Sequence, residues 1–206
     1  MHKPSSSGHS SPAPTPSPAP RRLRDIGRQA LAAFALAFAA PLLQAGSGAP
    51  LDTVPAVDLG RYTGTWYEIA LLPNRFERQC VSDTQARYTV DGDAIQVLNR
   101  CRKADGRIDE ARGRAKIVPG SGNAKLRVSF FWPFYGDYWV LALDEAYSEV
   151  LVGEPGRKYA WILARQPDLP EARVQALLER AAALGFPAQQ FKRVAHPQPL
   201  EAAGSQ

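Results

Sequence analysis

Between residues 62 and 165 apolar and polar positions alternate in eight short runs, and beyond residue 170 the apolar positions recur every three or four. A period of two marks a half-buried strand, and a period near 3.6 marks a helix lying on a surface. The runs predict strands over residues 62–71, 81–90, 94–102, 107–118, 124–131, 137–143, 147–153 and 159–165. Turn residues separate them: the hairpin signal Asp91-Gly92, the run Pro119-Gly120-Ser121-Gly122-Asn123, and an aromatic turn at Trp132-Pro133-Phe134-Tyr135-Gly136. Pro73-Asn74-Arg75-Phe76-Glu77-Arg78 makes a longer first loop. Val174, Leu177, Leu178, Ala181 and Leu184 then fall at helical spacing, with Asp168 as N-cap, Glu171 as its capping-box partner, and Gly185 and Pro187 as the stop. Residues 191–194 can add a last short strand. The pattern predicts an all-β protein: an eight-stranded antiparallel up-and-down β-barrel with one C-terminal α-helix packed outside.

The alternation also says what faces inward. On the fourth run Ala111, Gly113, Ala115 and Ile117 share one face and Arg112, Arg114 and Lys116 the other; on the fifth, Leu126, Val128 and Phe130 oppose Lys125, Arg127 and Ser129. Apolar faces turn inward, and small residues there leave room, so the barrel is expected to be a container. Trp66 shares its parity with Glu68 and Ala70, which places a tryptophan plug at one end and a carboxyl group above it. A carboxyl so buried needs a partner, in the protein or on a ligand. Aromatic residues gather toward the other end, and Tyr135, Tyr138, Trp161, Phe76 and Phe130 are the expected ligand contacts, with Glu68 as a polar one. The outward row Arg112, Arg114, Lys116, Lys125 and Arg127 reads as a solvated face or as a landing site for an anionic membrane surface.

Composition alters this picture mainly at the N-terminus. Residues 1–20 carry six prolines and six serines and are expected to be disordered. In residues 21–46 the basic start Arg21-Arg22-Leu23-Arg24, an apolar core from Ala30 to Ala40 and the small exit Ala45-Gly46 describe a secretory signal, with an uncleaved anchor as the alternative. The folded domain is expected over residues 47–196 and a disordered tail over 197–206. The formal charge is +5, but residues 1–45 hold +4 of it. The remainder is nearly balanced, and nothing in it calls for nucleic acid.

Export permits a disulfide between the only cysteines, Cys80 and Cys101. A turn at Asp91-Gly92 pairs 90 with 93 and so 82 with 101; one bulge then brings Cys80 within bridging distance. His2, His9 and His196 all lie outside the strand-rich region, so the barrel is expected to hold no histidine base and no axial haem ligand. No metal, cofactor or catalytic group is expected, and the oligomeric state, a dimer included, is left open.

Gly64-Thr65-Trp66, opening the first of eight strands that end in Arg165 and are followed by one helix, resembles the lipocalin family in its bacterial Blc-like and apolipoprotein-D-like branch, over about residues 52–194. Ala142-Leu143-Asp144-x-x-Tyr147 looks like a degraded form of the family's second motif. The resemblance implies a calyx, with Arg165 lying across Trp66 at its base. It also implies binding and storage or transport of a fatty acid or lysophospholipid in the bacterial cell envelope, without catalysis. Many relatives in that branch carry a lipid-anchored cysteine directly after the signal; here the stretch reads Leu43-Gln44-Ala45-Gly46-Ser47, so a soluble periplasmic form is expected, whether or not it associates with the outer membrane. Two other readings stay open: a thiol-dependent lipid isomerase, which needs Cys80 or Cys101 free, and a pigment or haem carrier.

Overall fold

The computed structural model describes residues 50–200; the expected disordered leader and signal lie outside them. Nine strands form one sheet: β1 (Gly64–Leu71), β2 (Cys80–Asp91), β3 (Ala94–Lys103), β4 (Ile108–Ile117), β5 (Lys125–Phe131), β6 (Phe134–Leu143), β7 (Glu149–Gly153), β8 (Ala160–Ala164) and β9 (Lys192–Arg193). Each of the first seven pairs antiparallel with the next, and β8 pairs back with β1, so the eight close into a barrel. The two-residue β9 adds to β1 from outside. Closure leaves no free edge, and it puts every second side chain into a shared interior.

The first strand starts later than its pattern suggests. Asp58 accepts hydrogen bonds from the backbone N–H groups of Gly60 (2.8 Å) and Arg61 (3.3 Å), and this side-chain cap turns Leu59–Tyr62 into a helical turn, α1. The strand then begins at Gly64, whose φ of 98° favours glycine. The outer helix, α2 (Glu171–Ala183), is capped differently from expectation: Pro170 is the N-cap residue, it gives no side-chain hydrogen bond, and Asp168 lies outside the helix. Glu171 instead pairs with Arg193 at 2.8 Å and ties α2 to β9.

The β2–β3 hairpin turns at Gly92-Asp93, with Asp91 opposite Ala94, not at Asp91-Gly92. That register alone would leave Cys80 too far along to meet Cys101. Two irregularities between Cys80 and Gln85 correct it, and the cysteines are joined with a Cα–Cα distance of 5.5 Å. Asp83 organises the irregular stretch. Its buried carboxylate accepts from Arg102 Nε (2.7 Å), Ser82 Oγ (3.1 Å) and the backbone N–H of Gln198 (3.1 Å). Its own N–H donates to Ala195 O. Gln198 is thereby docked on the barrel wall, and Leu200 is buried; residues 201–206 of the expected tail lie outside the described residues.

Two apolar layers share the sheet. Inside lie Trp66, Tyr62, Tyr88, Val97, Leu126, Val140, Val150, Val152 and Leu163. Outside, Ile69, Ala70, Leu151, Ile162 and Ala164 pack under Val174, Leu177 and Ala181 of α2 and under Phe186. Ala70 belongs to the outer layer, not to the face of Trp66, because the β1–β8 register shifts between Glu68 and Ala70 and reverses the parity beyond it. The space beside Gly153 belongs to Phe186, whose ring would sit 2.7 Å from any Cβ placed there.

The base of the barrel is sealed at one point. Arg165 stacks its guanidinium 3.9 Å from the centroid of Trp66, a residue with no exposed surface. The same group donates to the carbonyls of Arg61 (2.6 Å), Tyr62 (3.0 Å), Thr63 (2.9 Å), Thr65 (2.8 Å) and Tyr147 (3.2 Å). Trp66 Nε1 donates to Tyr62 O at 2.8 Å. A side chain at position 64 would press on Arg165 Nη1 at 3.3 Å, a second reason for glycine there. One planar cation thus holds α1, β1 and the β6–β7 turn together. Arg165→Lys keeps the charge and loses the fork, so most of these carbonyls are left without a donor. It is expected to cost about 2–4 kcal/mol, read as a lower urea midpoint at unchanged slope.

Candidate functional site

The interior above Trp66 is floored by three phenols. Tyr62 and Tyr138 share a hydrogen bond of 2.8 Å, and Tyr88 and Tyr138 one of 3.2 Å. Tyr62 stacks on Tyr88 (5.9 Å between centroids) and tilts against Trp66 (5.2 Å). Burial raises all three pKa values, that of Tyr88 to about 12, so the phenols are neutral donors and acceptors at physiological pH.

Higher on β1, Glu68 is 5 % exposed and faces Glu77 from the first loop. Glu77 Oε1 accepts from Trp161 Nε1 (3.0 Å) and Asn74 Nδ2 (3.3 Å); its Oε2 is buried and takes nothing from any group with an obligatory proton. Burial, and then the neighbouring charge of Glu77 and a hydrogen bond to it, hold the Glu68 pKa well above the ordinary carboxylate range. The bonds that Glu77 accepts from Trp161 and Asn74 hold the first loop at the mouth. His196 stays outside the wall: its ring meets Tyr67 edge-on at 5.5 Å and its Nε2 lies 2.8 Å from the backbone oxygen of Glu68.

The mouth is aromatic. Phe76 lies 5.7 Å from Tyr159, and Tyr159 stacks with Trp161 at 6.4 Å. Phe130 covers Gly113, where a Cβ would meet its ring at 2.9 Å. The β4–β5 pairing stops at Arg114 opposite Ser129, and beyond it the wall opens into a groove of about 320 Å³ lined by Arg112, Arg114, Ser129, Phe130, Trp132 and Tyr135 among others.

Of the residues expected to touch a ligand, Glu68, Tyr138 and Trp161 line the interior, and Phe76 and Phe130 stand at its mouth. Tyr135 does not join them. β5 and β6 pair up to Phe131 and Phe134, so the expected five-residue aromatic turn shrinks to Trp132-Pro133 and Tyr135 becomes a strand residue of outward parity. Its ring lies beside Lys116 (5.5 Å) and Arg127 (5.4 Å) on the outer face. Four interior groups escaped the sequence reading. Tyr62 and Tyr88 carried a signal, the first beside the strand start and the second by parity with Ala86. Asn99, whose side-chain oxygen is buried without a partner, reads as an ordinary polar strand residue. Glu77 sits in a loop, where no periodicity assigns a face.

Cys80 and Cys101 are engaged with each other, which leaves the isomerase reading without its nucleophile. Among the described residues there is no cluster able to hold a metal ion.

A single antiparallel barrel sealed at one pole, fastened by a loop at the other and carrying its helix outside is a calyx, a one-ended cup for small molecules. The chain belongs to the lipocalin-like family, whose domain model matches residues 57–196. It is similar to outer membrane lipoprotein Blc of Escherichia coli (strain K12), with 40% identity over 141 residues that cover 68% of this chain and 80% of that protein. It is likewise similar to apolipoprotein D of Macaca fascicularis, with 40% identity over 129 residues, 58% of this chain and 67% of that one. Among solved structures, insecticyanin from the tobacco hornworm Manduca sexta superimposes with a TM-score of 0.61 at 24% identity, over 73% and 86% of the two chains, a likeness of fold alone. The branch read from Gly64, Trp66 and Arg165 is thereby shown, and family and lumen together support binding of a lipophilic ligand.

The buried carboxyl pair makes stability depend on pH. Because the folded-state pKa of Glu68 lies above its unfolded value, its contribution is full at low pH and is lost as pH rises toward the folded value. Glu68→Gln keeps a donor toward Glu77 and does not titrate. Urea midpoints at pH 5 and pH 8 should show the variant gaining on the wild type as pH rises, by about 1.4 kcal/mol for each unit by which the pKa is raised.

Proposed function

We propose that this protein binds and stores or transports a fatty acid or lysophospholipid in its lumen, without catalysis, in the bacterial cell envelope. The observation that carries this reading is the apolar inner face of the barrel: Val97, Leu126, Val128, Val140, Val152 and Leu163 cluster there, with no basic side chain among them. An alkyl tail fits such a lining. Each buried methylene contributes about 0.8 kcal/mol, so some sixteen carbons give roughly 12 kcal/mol gross, and the costs of association bring the net to micromolar binding.

The polar end of the ligand then sits at the mouth. A hydroxyl or amine there can donate to Glu77 Oε2, whereas a carboxylate beside Glu68 and Glu77 adds a like charge, so a fatty acid keeps its head at the rim. The names of its relatives support an envelope location, since several are outer membrane lipoproteins. The apolar segment ending near Gly46 supports export, and the lack of a cysteine after it favours a soluble periplasmic form over a lipid-anchored one.

The delipidated full chain should bind a neutral naphthylamine probe with a gain in fluorescence, and lysophospholipid and oleate should displace it. Val128→Trp, which adds bulk to the inner face from a half-buried position, should weaken probe binding by about tenfold or more, roughly 1.4 kcal/mol, in a variant whose circular dichroism shows the barrel still folded. Equal binding by both forms would mean that the probe sits elsewhere, and the reading fails. Native mass spectrometry of protein purified from its own host names the ligand.

A further inference from the structure

The large apolar side chains left in solvent are not scattered. Phe131 (80 % exposed), Trp132 (84 %) and Phe134 (77 %) form the tip of the β5–β6 hairpin. Phe76, Val81 and Phe130 are exposed at the same pole, because the first loop, the start of β2 and the end of β5 all lie opposite Trp66; Val90, at the far end of β2, is the exception. A soluble surface gains nothing from three rings on one turn, and such patches mark contact with an apolar phase.

The wall that runs down from the tip carries one-sided charge, with Lys116 and Lys125 at its lower end. Outward on β4 and β5 stand Arg112, Arg114, Lys116, Lys125 and Arg127; the carboxylates on that face are Glu110, shared between Arg100 and Arg112, and Asp137, opposite Arg127. Lys116, Arg127 and Lys125 lie over Tyr135 and Trp139, which holds the cations against the wall. The groove between β4 and the hairpin brings Arg112, Arg114, Gln96 and Ser129 together as donors, with Phe130, Trp132 and Tyr135 as its apolar side. Donors at depth and rings toward the tip match a lipid at an interface, phosphate on one side and acyl chains on the other.

We propose that the β5–β6 hairpin docks this protein on an anionic phospholipid bilayer, with Phe131, Trp132 and Phe134 inserted among the acyl chains and a lipid phosphate held in the groove at Arg112 and Arg114. The open mouth then faces the membrane, and lipid passes between bilayer and lumen without crossing water. Each basic residue near an anionic leaflet raises partition by about fivefold, so the row makes binding depend on both lipid charge and salt.

The test is flotation of the full chain with vesicles of phosphatidylcholine alone or with about 30 % phosphatidylglycerol, a composition that gives the anionic surface potential required. Every variant carries the same N-terminal segment, so its contribution cancels. The wild type should float with the anionic vesicles and lose most of that binding in about 0.5 M salt, where the screening length is only a few ångströms. A Phe131→Ser, Trp132→Ser, Phe134→Ser triple variant should bind about tenfold less. Arg112→Glu with Arg114→Glu should lose as much on anionic vesicles and nothing on neutral ones. Brominated lipid should quench the wild type's fluorescence, and the Trp132→Phe variant should lose that quenching. The substituted side chains are exposed, so melting temperature and lumenal probe binding should be unchanged, which separates this test from that of the lumenal ligand. Wild-type flotation by both sets of variants, or quenching that survives Trp132→Phe, overturns the proposal.

Discussion

A guanidinium laid on an indole is the constraint from which the rest of this barrel follows. Trp66 alone would close the base as a plug of apolar surface, but a plug has no direction. Arg165 supplies one by collecting carbonyls from α1, the start of β1 and the β6–β7 turn, so that the last barrel strand is fixed to the first. Because these acceptors are backbone groups, the lock depends on the chain's path and little on the identity of the residues supplying them. The opposite pole is free of that constraint, and the groups with chemistry to offer, Glu68 with Glu77, the aromatic mouth and the exposed hairpin, all lie above the sealed base.

Much of this was legible from alternation. Strand count, order, the inward set of β4 and β5, the outer helix and the disulfide pair all follow from period two, period 3.6 and turn residues. Two of the failures share a cause: parity carries along a strand only until a bulge interrupts it. Ala70 changed faces at the irregularity after Glu68, and the β2–β3 hairpin needed two irregularities to bring Cys80 to Cys101. Tyr135 was lost another way. Pro133 and Gly136 made a long turn look natural, whereas the ladder continued to Phe131 and Phe134 and gave Tyr135 an outward face. Glu77 had no parity to read, since its place is set by Trp161 and Asn74, from β8 and from its own loop.

The two layers of the sheet divide the work. The outer layer carries α2 and the C-terminal segment, and its polar contacts, Arg173 with Glu149 at 2.6 Å and Arg102 with Asp83 at 2.7 Å, bind elements to the wall. The inner layer has few polar side chains, three phenols below and two carboxyls above, with Asn99 apart from both groups. That separation lets the interior stay apolar while stability is anchored on the other face.

The phenol floor has a geometric corollary. For an alkyl guest of the kind proposed above, a terminal methyl cannot take the place of a hydroxyl in the Tyr62–Tyr138–Tyr88 chain, so its descent halts where the hydroxyls begin. Depth is then fixed by the host, and any additional carbons must emerge at the top, which makes the cup a ruler as much as a receptacle.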